Sequence, residues 1–125
     1  MEVKKKKNLS SVGLVEIEVY KMYYVYMLGC GDGSVYTGMT NDVKKRIEAH
    51  KDGEGAKYTR GRGPFKLFSL WEMDTKSQAC KVEYFIKRHS KNKKILFYTD
   101  EKYLIKLIYE EKGIEIRRSN FNNCF

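Results

Sequence analysis

The side chains of this 125-residue chain that could do chemistry by type and spacing are two tyrosines, an arginine, a histidine and a glutamate. Tyr26 and Tyr36 flank the turn-forming run Gly29–Gly33 (GCGDG). A phenol pair of this kind can orient or deprotonate a nucleophile. Tyrosine has a pKa near 10, so the base role needs a cation or a metal close by. Arg46 and His50 have the i,i+4 spacing of helical neighbours. A guanidinium fork suits a phosphate, and an imidazole beside it can accept or donate a proton. Glu83 is a single carboxylate, enough for a hard cation such as Mg²⁺ that keeps several waters. Lys57, Tyr58, Arg60 and Arg62 offer phosphate contacts and an aromatic ring for stacking.

Each feature also has a plainer reading. The tyrosines suit a cross-strand pair that only stabilises a sheet. Arg46 and His50 suit a snorkelling cation and a satisfied ring at a helix margin. Glu83 and Lys87 suit an i,i+4 ion pair worth a few tenths of a kcal/mol. The basic loop suits a solvated connection. Taken singly, these residues do not decide between structure and chemistry.

The elements that must position them read as follows. Met22–Leu28 (MYYVYML) and Ser34–Met39 (SVYTGM) are aromatic and β-branched strands joined as a hairpin. With Gly29–Gly33 as the whole turn, Tyr26 lies directly opposite Tyr36 on one face. Asn41 or Asp42 caps a helix from Val43 to about Lys51, stopped by Gly53. On that helix Ile47 and His50 fall within about 40° of Val43, and Arg46 about 60° away beside His50. Gly53–Pro64 is a loop rich in glycine and basic residues, and Phe65–Met73 is a third strand. Thr75 and Gln78 have capping-box spacing and open a helix from Lys76 to about His89, with Glu83 at the margin of its apolar stripe. Asp100–Lys112 alternates apolar and charged residues at helical spacing and forms a last helix packed on the sheet. The fold class is α/β, of the α+β kind: a three-stranded antiparallel sheet flanked by helices in β-β-α-β-α order, plus a C-terminal helix. Residues 1–21 read as a partly disordered basic tail, 22–97 as the functional domain and 98–125 as a helical extension packed on it.

The chain carries 25 Lys plus Arg against 16 Asp plus Glu, for a net charge of +9 and a pI near 9.4. The excess lies in residues 23–97, while 98–125 are balanced. Such a domain favours polyanions, nucleic acid first. Cys30, Cys80 and Cys124 are odd in number and far apart, which argues against a disulfide framework or a cysteine-built zinc site. No apolar run reaches the roughly 20 residues a bilayer requires. The basic run Lys4–Lys7 leads into residues too polar for an export signal. A cytoplasmic, nucleoid-associated protein is expected, or a nuclear one in a eukaryote.

In order and spacing, Tyr24-Val25-Tyr26, Tyr36-Thr37-Gly38, Arg46 with His50, and Glu83 resemble the GIY-YIG nuclease superfamily. The stretches VYTGMTND and AKYTRGRGP add to the likeness, which covers Tyr23 to about Lys94 and extends to small stand-alone members and to the catalytic domain of structure-specific endonucleases. The resemblance implies a divalent-metal-dependent hydrolase of DNA phosphodiesters, with RNA as the alternative substrate. It implies that Tyr36 is the general base or the phenol orienting the attacking water, with Tyr26 as its partner. Arg46 would stabilise charge on the scissile phosphate, His50 would assist proton transfer, and Glu83 would hold one Mg²⁺ or Mn²⁺. Lys57, Tyr58, Arg60, Arg62 and Lys87 are the expected nucleic-acid contacts. Met39 stands where excision-repair members carry Lys, with Lys57, Arg60 or Arg62 available to replace that cation. A noncatalytic binding module, or a subunit that needs a protein partner or a second copy of itself, is the competing reading.

Overall fold

A computed structural model describes the backbone of residues 2–10 and 13–120 and the side chains of 22–120. In chain order its elements are the strands β1 (Glu2–Ser10), β2 (Gly13–Lys21), β3 (Tyr23–Gly29) and β4 (Val35–Thr40), helix α1 (Val43–Lys51) and strand β5 (Lys66–Met73). Helices α2 (Lys76–Lys87), α3 (Lys91–Thr99) and α4 (Glu101–Lys112) follow, and then the short strand β6 (Arg117–Arg118). β4, β3, β5 and β6 form one antiparallel sheet in that order. The mixed α+β class is as expected, but the sheet has four strands rather than three. A two-residue strand is too short to leave a pattern. It is fixed by Arg117, which pairs with Glu72 at 3.4 Å and Asp74 at 3.0 Å, and by Ser119 N–H donating to Leu70 O.

Two further elements differ from the sequence reading. Residues 91–99, an unassigned charged stretch, form α3, opened by Ser90, whose hydroxyl accepts from Lys93 N–H at 3.3 Å. Residues 1–21 were expected to be a tail, yet the described backbone there pairs as a two-stranded hairpin. In its backbone register Lys5 lies opposite Glu18 and Lys7 opposite Glu16. Cys124 lies outside the described residues.

The β3–β4 register is also offset from the expected one. Gly29 stays in the strand opposite Val35, and Cys30 N–H reaches Ser34 O at 2.8 Å. The turn proper is Gly31-Asp32-Gly33, with Gly33 in the left-handed region at φ +85°. Tyr26 therefore faces Gly38, and Leu28 faces Tyr36. The offset of two residues keeps both tyrosines on the same face of the sheet.

Alternation along β3 divides the interior in two. Val25 and Met27 join Trp71, Val82, Phe85, Phe97, Leu104 and Ile108 in the larger cluster, beneath α2, α3 and α4. Tyr26 and Leu28 join Ile47, Leu67 and Leu70 on the other face, beneath α1. A bulge in β5 at Phe68 is accommodated by Gly29, where a Cβ would come within 2.6 Å of the Phe68 ring. Ser69 Oγ on the same strand is buried with no hydrogen-bond partner among the described residues. Removing an unpaired hydroxyl releases its desolvation cost, so Ser69→Ala should leave stability unchanged or raise it by about 1 kcal/mol. Urea unfolding checks this; a loss of more than that amount would mean the hydroxyl is satisfied.

Candidate active site

The site is built on the smaller cluster. Asp42 caps α1 by accepting from Lys45 N–H at 3.2 Å, which turns Ile47 and His50 down onto the sheet. His50, 1% exposed, is the hub. Its Nε2 lies 2.7 Å from the Tyr26 phenol oxygen, and its Nδ1 lies 2.7 Å from Thr59 Oγ1. Thr59 donates its own proton to Ala56 O at 3.1 Å, so it accepts from His50 Nδ1–H. That leaves Nε2 to accept the Tyr26 proton, while Arg46 Nε donates to the same phenol oxygen at 3.4 Å. One neutral tautomer of His50 satisfies the whole chain.

The electrostatics agree with that tautomer. Burial, and then the charge of Arg46, push the His50 pKa down to about 4. Burial, opposed by the hydrogen bond from Arg46, pushes the Tyr26 phenol up to about 12. Both groups are therefore neutral near pH 7. Burial works against the charge of Arg46, but the phenols of Tyr26 and Tyr36 outweigh it and raise its pKa.

Tyr36 is placed differently. It is half-buried, with its ring centroid 5.3 Å from that of His50 and 6.2 Å from that of Tyr26. Tyr58 stacks on it at 5.8 Å, and Lys87 Nζ sits 5.6 Å from its centroid. Val35, Tyr36, Thr37, Tyr58, Lys87 and Lys94 line a cleft of about 300 Å³. Of the five residues expected to be catalytic or metal-binding, Tyr26 and His50 are sealed inside, whereas Tyr36, Arg46 and Glu83 are half-buried.

Glu83 Oε1 lies 3.6 Å from Lys87 Nζ, and its negative charge is one of the influences on Tyr26. Among the described residues no group of three or more His, Cys, Asp or Glu comes together. A lone carboxylate does not make a cage for zinc or calcium, but it fits a largely hydrated Mg²⁺ or Mn²⁺.

The basic loop is tied down rather than solvated throughout. Thr59 is buried against His50, and Arg60 Nε donates to Gly53 O at 3.3 Å. Arg62 pairs with Asp32 at 2.5 Å and lies 4.7 Å from the Tyr58 ring centroid, so its charge already has a partner. Lys57 and Arg60 are exposed. Met39 leaves the sheet on the face opposite Tyr36 and packs toward the larger cluster. The cation over the Tyr36 ring comes instead from Lys87 of α2.

Sequence reasoning missed Thr59, for which a loop offers no periodicity, and two close approaches at glycines. A Cβ on Gly38 would lie 2.6 Å from Tyr26 Cζ and 2.8 Å from Tyr36 Cε2. A Cβ on Gly55 would lie 2.6 Å from His50 Cγ. Gly38→Ala should displace the Tyr26 ring, cost about 1–3 kcal/mol and lower activity with it. Urea unfolding decides: unchanged stability would show that the ring has room to yield.

Residues 22–96, more than half of the chain, match the family model of the GIY-YIG catalytic domain. The chain belongs to the GIY-YIG family. That family is one of nucleases, and the two tyrosine motifs fall on neighbouring strands, as the hairpin read from the sequence requires. The chain is similar to a UPF0213 protein of Halalkalibacterium halodurans, 54% identical over 72 residues, which are 58% of this chain and 77% of that protein. A UPF0213 protein of Clostridium perfringens is 53% identical over 74 residues, covering 59% and 80%. One of Halobacterium salinarum is 48% identical over 73 residues, covering 58% and 95%. Among solved structures, the solution NMR structure of a UPF0213 protein from Bacillus halodurans has a TM-score of 0.40 and 46% identity, covering 69% of this chain and 84% of that one. The GIY-YIG match ends within α3, whereas the larger cluster continues to Leu104 and Ile108 of α4. No helix among the described residues is long and apolar enough to cross a membrane.

Proposed function

We propose that this chain is a divalent-metal-dependent endonuclease that hydrolyses DNA phosphodiester bonds, with branched, nicked or damaged structures as its substrates. The observation that carries the reading is the division of labour between the phenols. A sealed, neutral Tyr26–His50–Thr59 chain holds Arg46, and Arg46 and Lys87 place positive charge around a half-buried Tyr36 at a basic cleft. A purely structural aromatic pair has no need of two cations beside its half-buried ring.

Hydrolysis adds a water oxygen to phosphorus and breaks one phosphorus–oxygen ester bond. One water proton is lost, and the departing sugar oxygen gains one. Tyr36 orients that water or takes its proton, with Arg46 beside it and Lys87 over its ring. Arg46 donates Nε to Tyr26, which leaves its terminal nitrogens to meet the phosphate oxygens. Glu83 would hold Mg²⁺ or Mn²⁺, which when bound neutralises charge developing on the phosphate. Lys57, Tyr58 and Arg60 extend the contact to nucleic acid. Arg62 acts through its hold on Tyr58.

The test is incubation of the protein with labelled single-stranded, duplex, flapped and four-way-branched DNA in Mn²⁺, Mg²⁺ or EDTA, beside Glu83→Ala. Metal-dependent cutting that the substitution removes supports the enzyme. Tight, salt-sensitive binding without cutting by either form would transfer the assignment to a binding module.

A further inference from the structure

The catalytic cleft continues past Tyr36. A second depression of about 240 Å³, lined by Gly33, Ser34, Val35, Tyr58, Lys91, Lys94, Ile95 and Tyr98, shares Val35, Tyr58 and Lys94 with the first. The two form one groove along the edge strand β4, from Tyr36 to the first turn of α3. Its lining holds three lysines and several tyrosines, and no carboxylate. Lys87 has Glu83 beside it, whereas neither Lys91 nor Lys94 has an acidic partner among the described residues. Tyr98 is braced by stacking on Phe68 at 4.8 Å, which holds a rigid aromatic wall at the far end.

We propose that this groove binds an unpaired strand of nucleic acid leading away from the scissile phosphate. Lys94 and Lys91 hold two successive phosphates, and Tyr58 and Tyr98 meet the bases. The idea rests on the nuclease reading for the polarity of the site but not for the binding itself. Two features favour a single strand over a duplex. Each depression has room for about one nucleotide rather than a base pair, and stacking on tyrosine requires an unstacked base. Lys91, Lys94 and Tyr98 all come from α3, which therefore serves as a substrate-positioning element and not only as a cover for the core. Substrates with a free strand next to the cut are then preferred to continuous duplex.

Binding of a fluorescein-labelled eight-nucleotide thymidine strand, followed by anisotropy in EDTA over a range of salt, tests this without any cleavage. Lys91→Ala/Lys94→Ala should weaken it about tenfold and flatten the slope of log K against log salt by about 1.4, the value for two phosphates of a single strand. Tyr98→Leu should weaken it at least fivefold with little change in slope, whereas Tyr98→Phe keeps the ring and the affinity. Circular dichroism and urea midpoints confirm that each variant is folded. An unchanged slope in the lysine variant overturns the proposal, as does an equal loss for a twelve-base-pair duplex. Cutting by the parent protein with unchanged strand binding in the variants would sink the groove and keep the nuclease. Altered strand binding without cutting would do the reverse.

Discussion

Arg46→Ala should lower the rate of DNA cleavage by about 10³-fold while leaving most of the affinity for uncut DNA, the size of effect expected when a preorganised donor to developing charge is removed. Two losses combine in this variant. The phosphate forfeits a charge-assisted fork, and the Tyr26 oxygen forfeits the donor that holds it from outside while His50 holds it from within. Arg46→Lys separates them, because an ammonium keeps the charge but not the fork geometry. It should recover a small part of the rate. Single-turnover cleavage beside binding in EDTA measures both quantities. A variant that binds and cuts like the parent would reduce Arg46 to a snorkelling side chain at a helix margin, and the assignment of Tyr36 would lose its principal cation.

The second large effect concerns acid. The native His50 pKa of about 4 lies below its ordinary value of 6.5 because the ring is buried beside Arg46. Below pH 6.5 the unfolded chain takes up a proton that the native site refuses. Stability contributed by this group is complete above pH 6.5, falls as the pH drops toward 4, and is exhausted below it. The loss is on the order of 3 kcal/mol over that window. His50→Gln lacks this titration, so the parent's advantage over the variant should shrink steadily between pH 7 and pH 4.5. Urea midpoints of both proteins at several pH values give the comparison. Other groups titrate in both proteins and cancel, so a constant difference would mean that His50 is not held neutral.

Much of this arrangement can be read in the sequence where local chemistry determines it. The strand Tyr23–Gly29 is announced by its aromatic and branched residues, α1 by Asp42, and α2 by the Thr75–Gln78 capping box, which forms with both of its reciprocal bonds. Tyr26, Tyr36, Arg46 and His50 converge because hairpin and helix periodicities place them on one face. Register is less legible. A turn segment with three alternate glycines can close a hairpin in more than one way, and Asp32, by accepting from Ser34 N–H at 3.0 Å and pairing with Arg62, selects the tighter turn. That selection depends on a residue thirty positions away. α3 is illegible for another reason. Lys91, Asn92, Lys93 and Lys94 read as solvated, and only Phe97 among its residues is fully buried. The depth of Tyr26 and His50 is likewise invisible in sequence, because it depends on where the Thr59 loop comes to rest.

Gly38 and Gly55 bear on how such a site can change over time. The phenol of Tyr26 crosses the backbone at one of them, and the imidazole of His50 lies against the other. Neither glycine supplies a reactive group, yet each is an aperture through which a neighbour reaches its partner. Drift at these two places is penalised by volume, so even alanine, the smallest addition, should cost stability. Replacements at the chemically active positions can in principle be exchanged for other donors or acceptors. Those at the apertures have no such equivalents, and the fold has left itself fewer alternatives where it carries no side chain than where it carries the chemistry.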